Sequence, residues 1–339
     1  MGAAGVKESR GAGEIPGLRP KKEVIIIFFT IFLDKACSAV LVKERKDGLE
    51  IAGSVRLPFR ESCLADKAEL KDLFAGAARM LFRRAALPYS PLLSYKGGAS
   101  VRLCLIFGAA AGVSYRTWRE AAGSFRKTGT AAEREKEALA LAYSHLPGEL
   151  SELYRGFVPL IVSSGSFDAE VALTAAYLPE VFLKNALRAA RELGFSVAGC
   201  TEPLSCVNAL VDAGDVELCF ELPGYLALVN SAGAAAWSVP GGAFKDGCDV
   251  LYAIASAAFG KKTGVRRRVL DDLTGLAPYF RVKIYGELPD TALILAAGAA
   301  LACTEKSAPL AENKARAAHK GVLKGGGRHI TGKLRQFFS

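Results

Sequence analysis

Apolar and polar positions along this chain switch between two periods, and each switch marks an element. Residues 24–33 (VIIIFFTIFL) form one unbroken apolar run, rich in β-branched and aromatic side chains. A bilayer crossing takes about 20 residues, so this run is too short, and Asp34-Lys35 follows at once. It predicts a central strand buried on both faces. Its length and the basic residues before it also fit the apolar part of a secretion signal, but a strand explains the composition better. Apolar runs at 38–42 and 49–57 flank Lys46-Asp47-Gly48, and Asp-Gly between β-rich runs predicts a hairpin. From 68 to 86 the period turns helical, with apolar residues at 70, 73, 74, 77, 80, 81 and 85 ahead of Pro88. Residues 101–107 predict a short buried strand.

Between 113 and 168 the texture changes to a charged helical stretch at 131–144, Leu146-Pro147, and a strand at 157–162. A strand at 170–178 follows. Pro179 then opens a helix whose stripe is Val181, Phe182, Leu183, Ala186, Leu187 and Ala190, stopped by Gly194. A strand at 195–200 and a helix at 204–211 complete this half. Further strands are predicted at 216–220, 226–230 and 234–239. Glu221 follows the first, Ser231-Ala232-Gly233 turns into the third, and Pro240-Gly241-Gly242 precedes a helix over 249–259. The order strand, acid, short loop, strand, Gly-containing turn, strand, proline and helix thus occurs twice, from near 24 and from near 216. An α/β protein with duplicated β-β-β-α units is predicted.

Composition narrows the function classes. With 339 residues, 51% of them hydrophobic, the chain has enough material for two or three domains. The net charge of +10 sits largely at the ends; residues 304–339 hold eight lysines and arginines against two glutamates. A nearly balanced body excludes a nucleic-acid binding face, whereas basic tails can lie against anionic lipid. Ile330, Leu334, Phe337 and Phe338 fall on one helical face, which fits either a short interfacial helix or an unstructured tail. Eight cysteines are scattered without any CxxC pair, and His145, His319 and His329 lie far from them. This pattern predicts reduced core thiols, no metal centre and a cytoplasmic address.

Four stretches carry a resemblance: FLDKACSAVLVKERKDGLEIAGSVRLPF at 32–59, EALALAYSHLPGELSELY at 137–154, VALTAAYLPEVFLKNALRAARELGFSVAGCTEPLSCVNAL at 171–210, and FELPGYLALVNSAGAAAWSVPGG at 220–242. In pattern and order they resemble the PilM family of type IV pilus assembly proteins, within the actin-like ATPase superfamily. The resemblance spans residues 24–302. It implies an actin-like (RNase H-like) two-lobed fold with duplicated β-β-β-α units and a small inserted α+β domain in the first lobe. The division that follows is a flexible basic leader over 1–23, a first lobe over 24–112 and 169–213, and an inserted domain over 113–168. A shortened second lobe covers 214–303, and a flexible basic tail covers 304–339.

By that resemblance, Asp34 is the first phosphate-site acid, with Ser38 in its loop. Glu221 and Gly224 form the second site, and Gly298 stands for the adenosine turn. ATP and Mg²⁺ are the cofactors so implied. Each position departs from the family pattern. Asp-x-Gly is replaced by Asp34-Lys35-Ala36, where a Cβ crowds the turn. The second Asp-x-Gly becomes Glu221-Leu222-Pro223-Gly224, in which Pro223 lacks a donor N–H. Gly298 fits a final core helix equally well, and Asp34 and Glu221 fit plain strand-end carboxylates. The expectation is a PilM-like adaptor that hydrolyses no ATP. It would sit at the inner face of the cytoplasmic membrane, bind the cytoplasmic peptide of a PilN-like membrane protein, and serve a pilus or type II secretion platform. An FtsA-like membrane-associated filament protein and a small-molecule kinase on the same fold are the alternatives.

Overall fold

The computed structural model describes residues 25–85, 99–121, 131–145, 156–167, 170–238, 244–259, 265–286 and 290–316. Strands β1 (Ile25–Leu33), β2 (Ala36–Arg45) and β3 (Gly48–Pro58) form an antiparallel meander. β1 also pairs in parallel with β4 (Ala99–Phe107), and β4 with the short β8 (Val197–Thr201). Late in the chain, β13 (Lys283–Tyr285) joins the outer edge of β3. The six-stranded order is β13-β3-β2-β1-β4-β8.

β1 is central because it has no polar face to offer water. From Ile27 to Leu33 every side chain is buried, so both faces of the sheet need cover. On one face Phe29 meets Phe82 of α1 (Lys67–Arg84) edge-on, with ring centroids 5.7 Å apart. Helix α1 begins at Asp66, whose carboxylate accepts the N–H of Ala68 at 2.7 Å. Beside it lies α3 (Glu180–Glu192), tied by Lys67 and Lys71 to Glu192 and by Asn185 to the Leu64 carbonyl. On the other face, Thr30 lies level with Cys104 of β4. Cys104 Sγ is 3.3 Å from Cys303 Sγ of α6 (Thr291–Arg316). Helix α6 packs there beside α4 (Pro203–Leu210).

A second sheet joins β9 (Val216–Leu222), β10 (Tyr225–Asn230), β11 (Gly233–Ser238) and β12 (Arg266–Leu270). Its order is β11-β10-β9-β12, with β9 to β11 antiparallel and β12 parallel to β9. The first sheet holds the same sequence of strands in β3-β2-β1-β4. In each, a helix lies in the chain between the third strand and the fourth: α1 between β3 and β4, α5 (Phe244–Phe259) between β11 and β12. The packing of α5 buries Cys219, Leu226, Leu228, Leu251 and Ala255.

A third, small sheet contains β5 (Ser114–Ala121), β6 (Phe157–Phe167) and β7 (Glu170–Pro179), with β7 in the middle. Helix α2 (Ala131–Ser144) covers it, and the Tyr177 hydroxyl donates to the Ala142 carbonyl at 3.0 Å. Residues 170–179, expected beyond the inserted unit of 113–168, pair within the small sheet, because β7 aligns with β6 and with β5 along its length. Helix α6 continues to Arg316, past residue 303 where the expected tail begins. Residues 1–23, Pro240-Gly241-Gly242 and the amphipathic pattern at 330–338 lie outside the described residues.

All eight cysteines are free thiols. Burial raises those of Cys37 and Cys200 to about 12. Among the described residues no helix is long and apolar enough to cross a membrane.

Gly298 marks the closest helix contact. A Cβ placed there would lie 2.2 Å from the backbone oxygen of Cys206 in α4. Gly76 in α1 is the opposite case, with nothing within 4 Å of its added Cβ. Gly298→Val should lower the unfolding free energy by about 1–3 kcal/mol or more through overpacking. Gly76→Ala should raise it by about 0.5–1 kcal/mol. Denaturant titrations of the two variants check both signs.

Candidate functional site

The connection between β1 and β2 is very tight. Asp34 N–H donates to the Ala36 carbonyl at 3.1 Å, and the ladder resumes with Leu33 opposite Cys37. Ser38 is therefore a residue of β2, level with Phe32 and Arg56, and not part of a loop. Ser38 is nevertheless near the strand end and almost fully buried.

Asp34 is buried to 6% exposure, and its Oδ1 accepts the N–H of Ala110 at 2.8 Å. Ala110 lies in a single 3-10 turn (Ala109–Ala111) directly after β4. Gly108 opens that turn, donating its N–H to the Leu33 carbonyl at 2.8 Å. An added Cβ at Gly108 would meet Asp34 Oδ1 at 2.6 Å, so only glycine lets the turn approach the carboxylate this closely.

The turn between β9 and β10 reaches the same segment from the second sheet. Gly224 has φ +84°, a left-handed conformation suited to glycine, and its added Cβ would stand 2.8 Å from Ala109 Cβ. The next residue, Tyr225, donates its hydroxyl to the Val113 carbonyl. The Tyr225 ring also stands edge-on to Tyr115 of β5, with centroids 4.8 Å apart. Burial raises the Tyr225 hydroxyl to about 12, and the negative charge of Asp34 pushes the same way. Residues 108–113 are thus clamped between the two turns, with Asp34 on one side and Gly224-Tyr225 on the other.

Glu202 extends this polar cluster. It is fully buried at the start of α4, where its carboxylate accepts the N–H groups of Leu204 at 2.7 Å and Ser205 at 2.8 Å. The Tyr115 hydroxyl donates to the same carboxylate. Three donors at a helix N-terminus make a buried carboxylate tolerable. Burial still dominates and raises Glu202 above its ordinary value of 4.5, against the lowering pull of those hydrogen bonds.

The structure brings Asp34 and Gly224 to one place, and leaves the other three candidates elsewhere. Ser38 is inside β2. Glu221 is an exposed residue of β9, level with Leu226 on the side facing α5. Gly298 lies within α6, close against α4. The sequence reading missed Gly108, Ala110, Tyr115, Glu202 and Tyr225. The string Gly-Ala-Ala-Ala-Gly at 108–112, directly behind a buried strand, was the available signal. Among the described residues no group of three or more His, Cys, Asp or Glu is arranged to hold a metal ion.

The sequence matches no family model and no curated protein. Solved structures similar to the chain include the cytoplasmic domain of EpsL, an inner membrane component of the type II secretion system of Vibrio cholerae. That match has a TM-score of 0.42 at 10% identity, covering 82% of this chain and 95% of EpsL's. A PilM-PilN type IV pilus biogenesis complex matches with a TM-score of 0.40 at 14% identity, over 94% of this chain and 85% of that one. The PPX-GPPA enzyme of Aquifex aeolicus matches at 0.28 and 9% identity, over 63% and 53%.

Removing the Asp34 acceptor orphans a buried donor. Asp34→Ala should destabilise the fold by about 1–3 kcal/mol, whereas Asp34→Asn, which keeps an oxygen, should lose less than half as much in the same melt. Glu202 yields a pH dependence of defined sign. Its folded pKa is raised, so the folded chain holds the proton more tightly than the unfolded chain. The associated stability is fully present below the ordinary value of 4.5 and is lost as pH rises through the raised folded value. Denaturant unfolding of wild type and Glu202→Gln across that interval should show a shallower decline in the variant.

Proposed function

We propose that this chain is a PilM-like adaptor of actin-like fold. In this reading it serves a type IV pilus or type II secretion assembly platform at the inner face of the cytoplasmic membrane. It acts by holding a partner and not by hydrolysing ATP. The observation that carries the second half of this reading is the clamp on residues 108–113. In an actin-like arrangement the two turns would face phosphate oxygens and the waters of Mg²⁺. Here Asp34 accepts from Ala110, Gly224 abuts Ala109, and Tyr225 binds the Val113 carbonyl. Chain atoms take the place of ligand atoms at both turns. Lys35-Ala36 and Pro223 point the same way, since a Cβ and a missing N–H both work against a phosphate cradle.

The first half rests on the sequence resemblance over 24–302 and on the shared strand plan of the two larger sheets. Reading the two β-β-β-α units as a duplication gives two lobes, with the small sheet inserted in the first. The partner in this reading is a PilN-like membrane protein, whose cytoplasmic peptide docks on the first lobe beside the small sheet. The basic ends of the chain would add weak contact with anionic lipid.

Calorimetry tests both halves. Millimolar Mg-ATP should give no binding heat and no phosphate release with the purified full chain. A synthetic cytoplasmic peptide from a PilN-like protein encoded beside it should bind saturably. Steady ATP turnover would overturn the adaptor reading in favour of an enzyme. A folded chain that ignores the peptide would remove the pilus or secretion assignment.

A further inference from the structure

Away from the clamp, a solvent-open pocket of about 380 Å³ lies between helix α4, the small sheet and the second sheet, with Asp212 and Arg281 exposed at its rim. Cavities of roughly 300–1,000 Å³ are the size that holds small molecules. Its walls come from separate parts of the chain: Ser163 of β6, Asn208 of α4, Asp212 just beyond it, the β10–β11 turn from Asn230 to Gly233, and Arg281. The walls are mainly polar, so the ligand chemistry is read from which polar groups remain available.

Several of those groups are already satisfied within the chain. The Ser163 hydroxyl donates to the Ala234 carbonyl and accepts the Ala234 N–H. Asn230 Oδ1 accepts the N–H groups of Ala232 and Gly233. Three sets of atoms are left. Arg281 is held by its own N–H to the Leu210 carbonyl and by Nε to the Val211 carbonyl, each at 2.9 Å. Its two terminal nitrogens have no partner among the described residues. Asp212 donates its N–H to the Tyr279 carbonyl at 2.8 Å, and its Oδ1 accepts the Gly214 N–H at 3.2 Å, leaving Oδ2. Asn208 donates Nδ2 to the Val162 carbonyl at 3.3 Å, leaving Oδ1. An isolated bridge between Val211 and Phe280 fixes the backbone under both Asp212 and Arg281. Among the described residues no ion pair joins those two side chains, so neither neutralises the other.

We propose that this cavity binds a small, polar, hydroxylated acid: a molecule with a carboxylate or phosphate group next to one or more hydroxyls. The two terminal nitrogens of Arg281 grip the oxyanion through charge-assisted hydrogen bonds. Asp212 Oδ2 and Asn208 Oδ1 accept from the hydroxyls. Each half of the ligand is needed. An oxyanion without hydroxyls sets its charge near Asp212 with nothing to donate, and a neutral polyol leaves the guanidinium unpaired. Because the walls come from α4, β6 and the β10–β11 turn, an occupied cavity ties the second sheet to the other two parts. This inference goes beyond the adaptor reading and does not depend on it.

The test is calorimetric titration of the full chain with glycerol 3-phosphate, glycerate, inorganic sulfate and glycerol. One or both hydroxylated acids should bind saturably at one site and raise the melting temperature; the two probes separate phosphate from carboxylate as the preferred oxyanion. Inorganic sulfate, an oxyanion with no O–H to donate, and glycerol should bind more weakly or not at all. Arg281→Gln should weaken the hydroxylated acid by about tenfold or more. Asp212→Asn keeps the Gly214 contact and should weaken the hydroxylated acids without weakening inorganic sulfate, so it carries the test if Arg281→Gln does not fold. Absence of binding by both hydroxylated acids overturns the proposal. So does equal binding by inorganic sulfate, or unaltered affinity in the folded variants.

Discussion

The whole architecture follows from one constraint: β1 must be covered on both sides. An apolar strand with side chains buried from Ile27 to Leu33 cannot stand at an edge or on a solvated face. The meander and β4 pair its backbone, while α1 and α6 supply the two layers over it. Helix α6 begins after the second sheet is complete, yet it packs on β1, β2 and β4 of the first. The two larger sheets share one continuous core, from Phe28 and Leu105 through Val207 to Phe220 and Ala297. Thr30 is the one polar side chain within the buried length of β1, and its hydroxyl finds no partner among the described residues. It lies on the face turned to α6, at the level of Cys104.

Helix α6 covers the first sheet through apolar burial, whereas the clamp at 108–113 joins the sheets through polar groups. Asp34 and Tyr225 come from different sheets and reach the same short turn. Tyr115 connects that turn to Glu202, so a single polar cluster touches the first sheet, the second sheet, the small sheet and the start of α4. Buried polar groups with satisfied partners fix a unique arrangement more firmly than apolar contacts do. The arrangement they fix is one in which the two turns face chain atoms.

Most of the strands were legible in the sequence because their signals are local. The runs at 24–33, 38–42 and 49–57, the helix at 131–144 and the Pro179 boundary all appear within a residue or a few of the expected places. What stayed illegible depends on partners remote in sequence. β12 carries three arginines, exposed to solvent, and has no apolar pattern to read. β13 is three residues long and exists because β3 offers an edge. The run at 170–178 reads as a strand under any pairing, so its membership of the small sheet was decided by β5 and β6. Among candidate site residues, Asp34 and Gly224 were legible as turn residues. The role of Asp34 was not, because its partner Ala110 lies 76 positions away in a string of small residues without functional groups. Gly298 was ambiguous because a close helix crossing and a ligand turn both call for glycine.

The return of α6 also bears on how the chain is made. During synthesis β1 to β4 emerge early, and α1 can cover one face soon afterwards. The opposite face, carrying Phe28, Phe32 and Cys104, meets α6 only after some two hundred further residues have left the ribosome. For that interval the apolar sheet surface lacks the cover that α6 supplies, the situation in which nascent proteins aggregate or need a holding chaperone. The long separation between β1 and α6 further predicts slow folding, since distant segments must meet before either gains their mutual burial. Late closure of this kind makes the first sheet depend on α6: a truncation before residue 291 would expose the face of β1 that this helix covers.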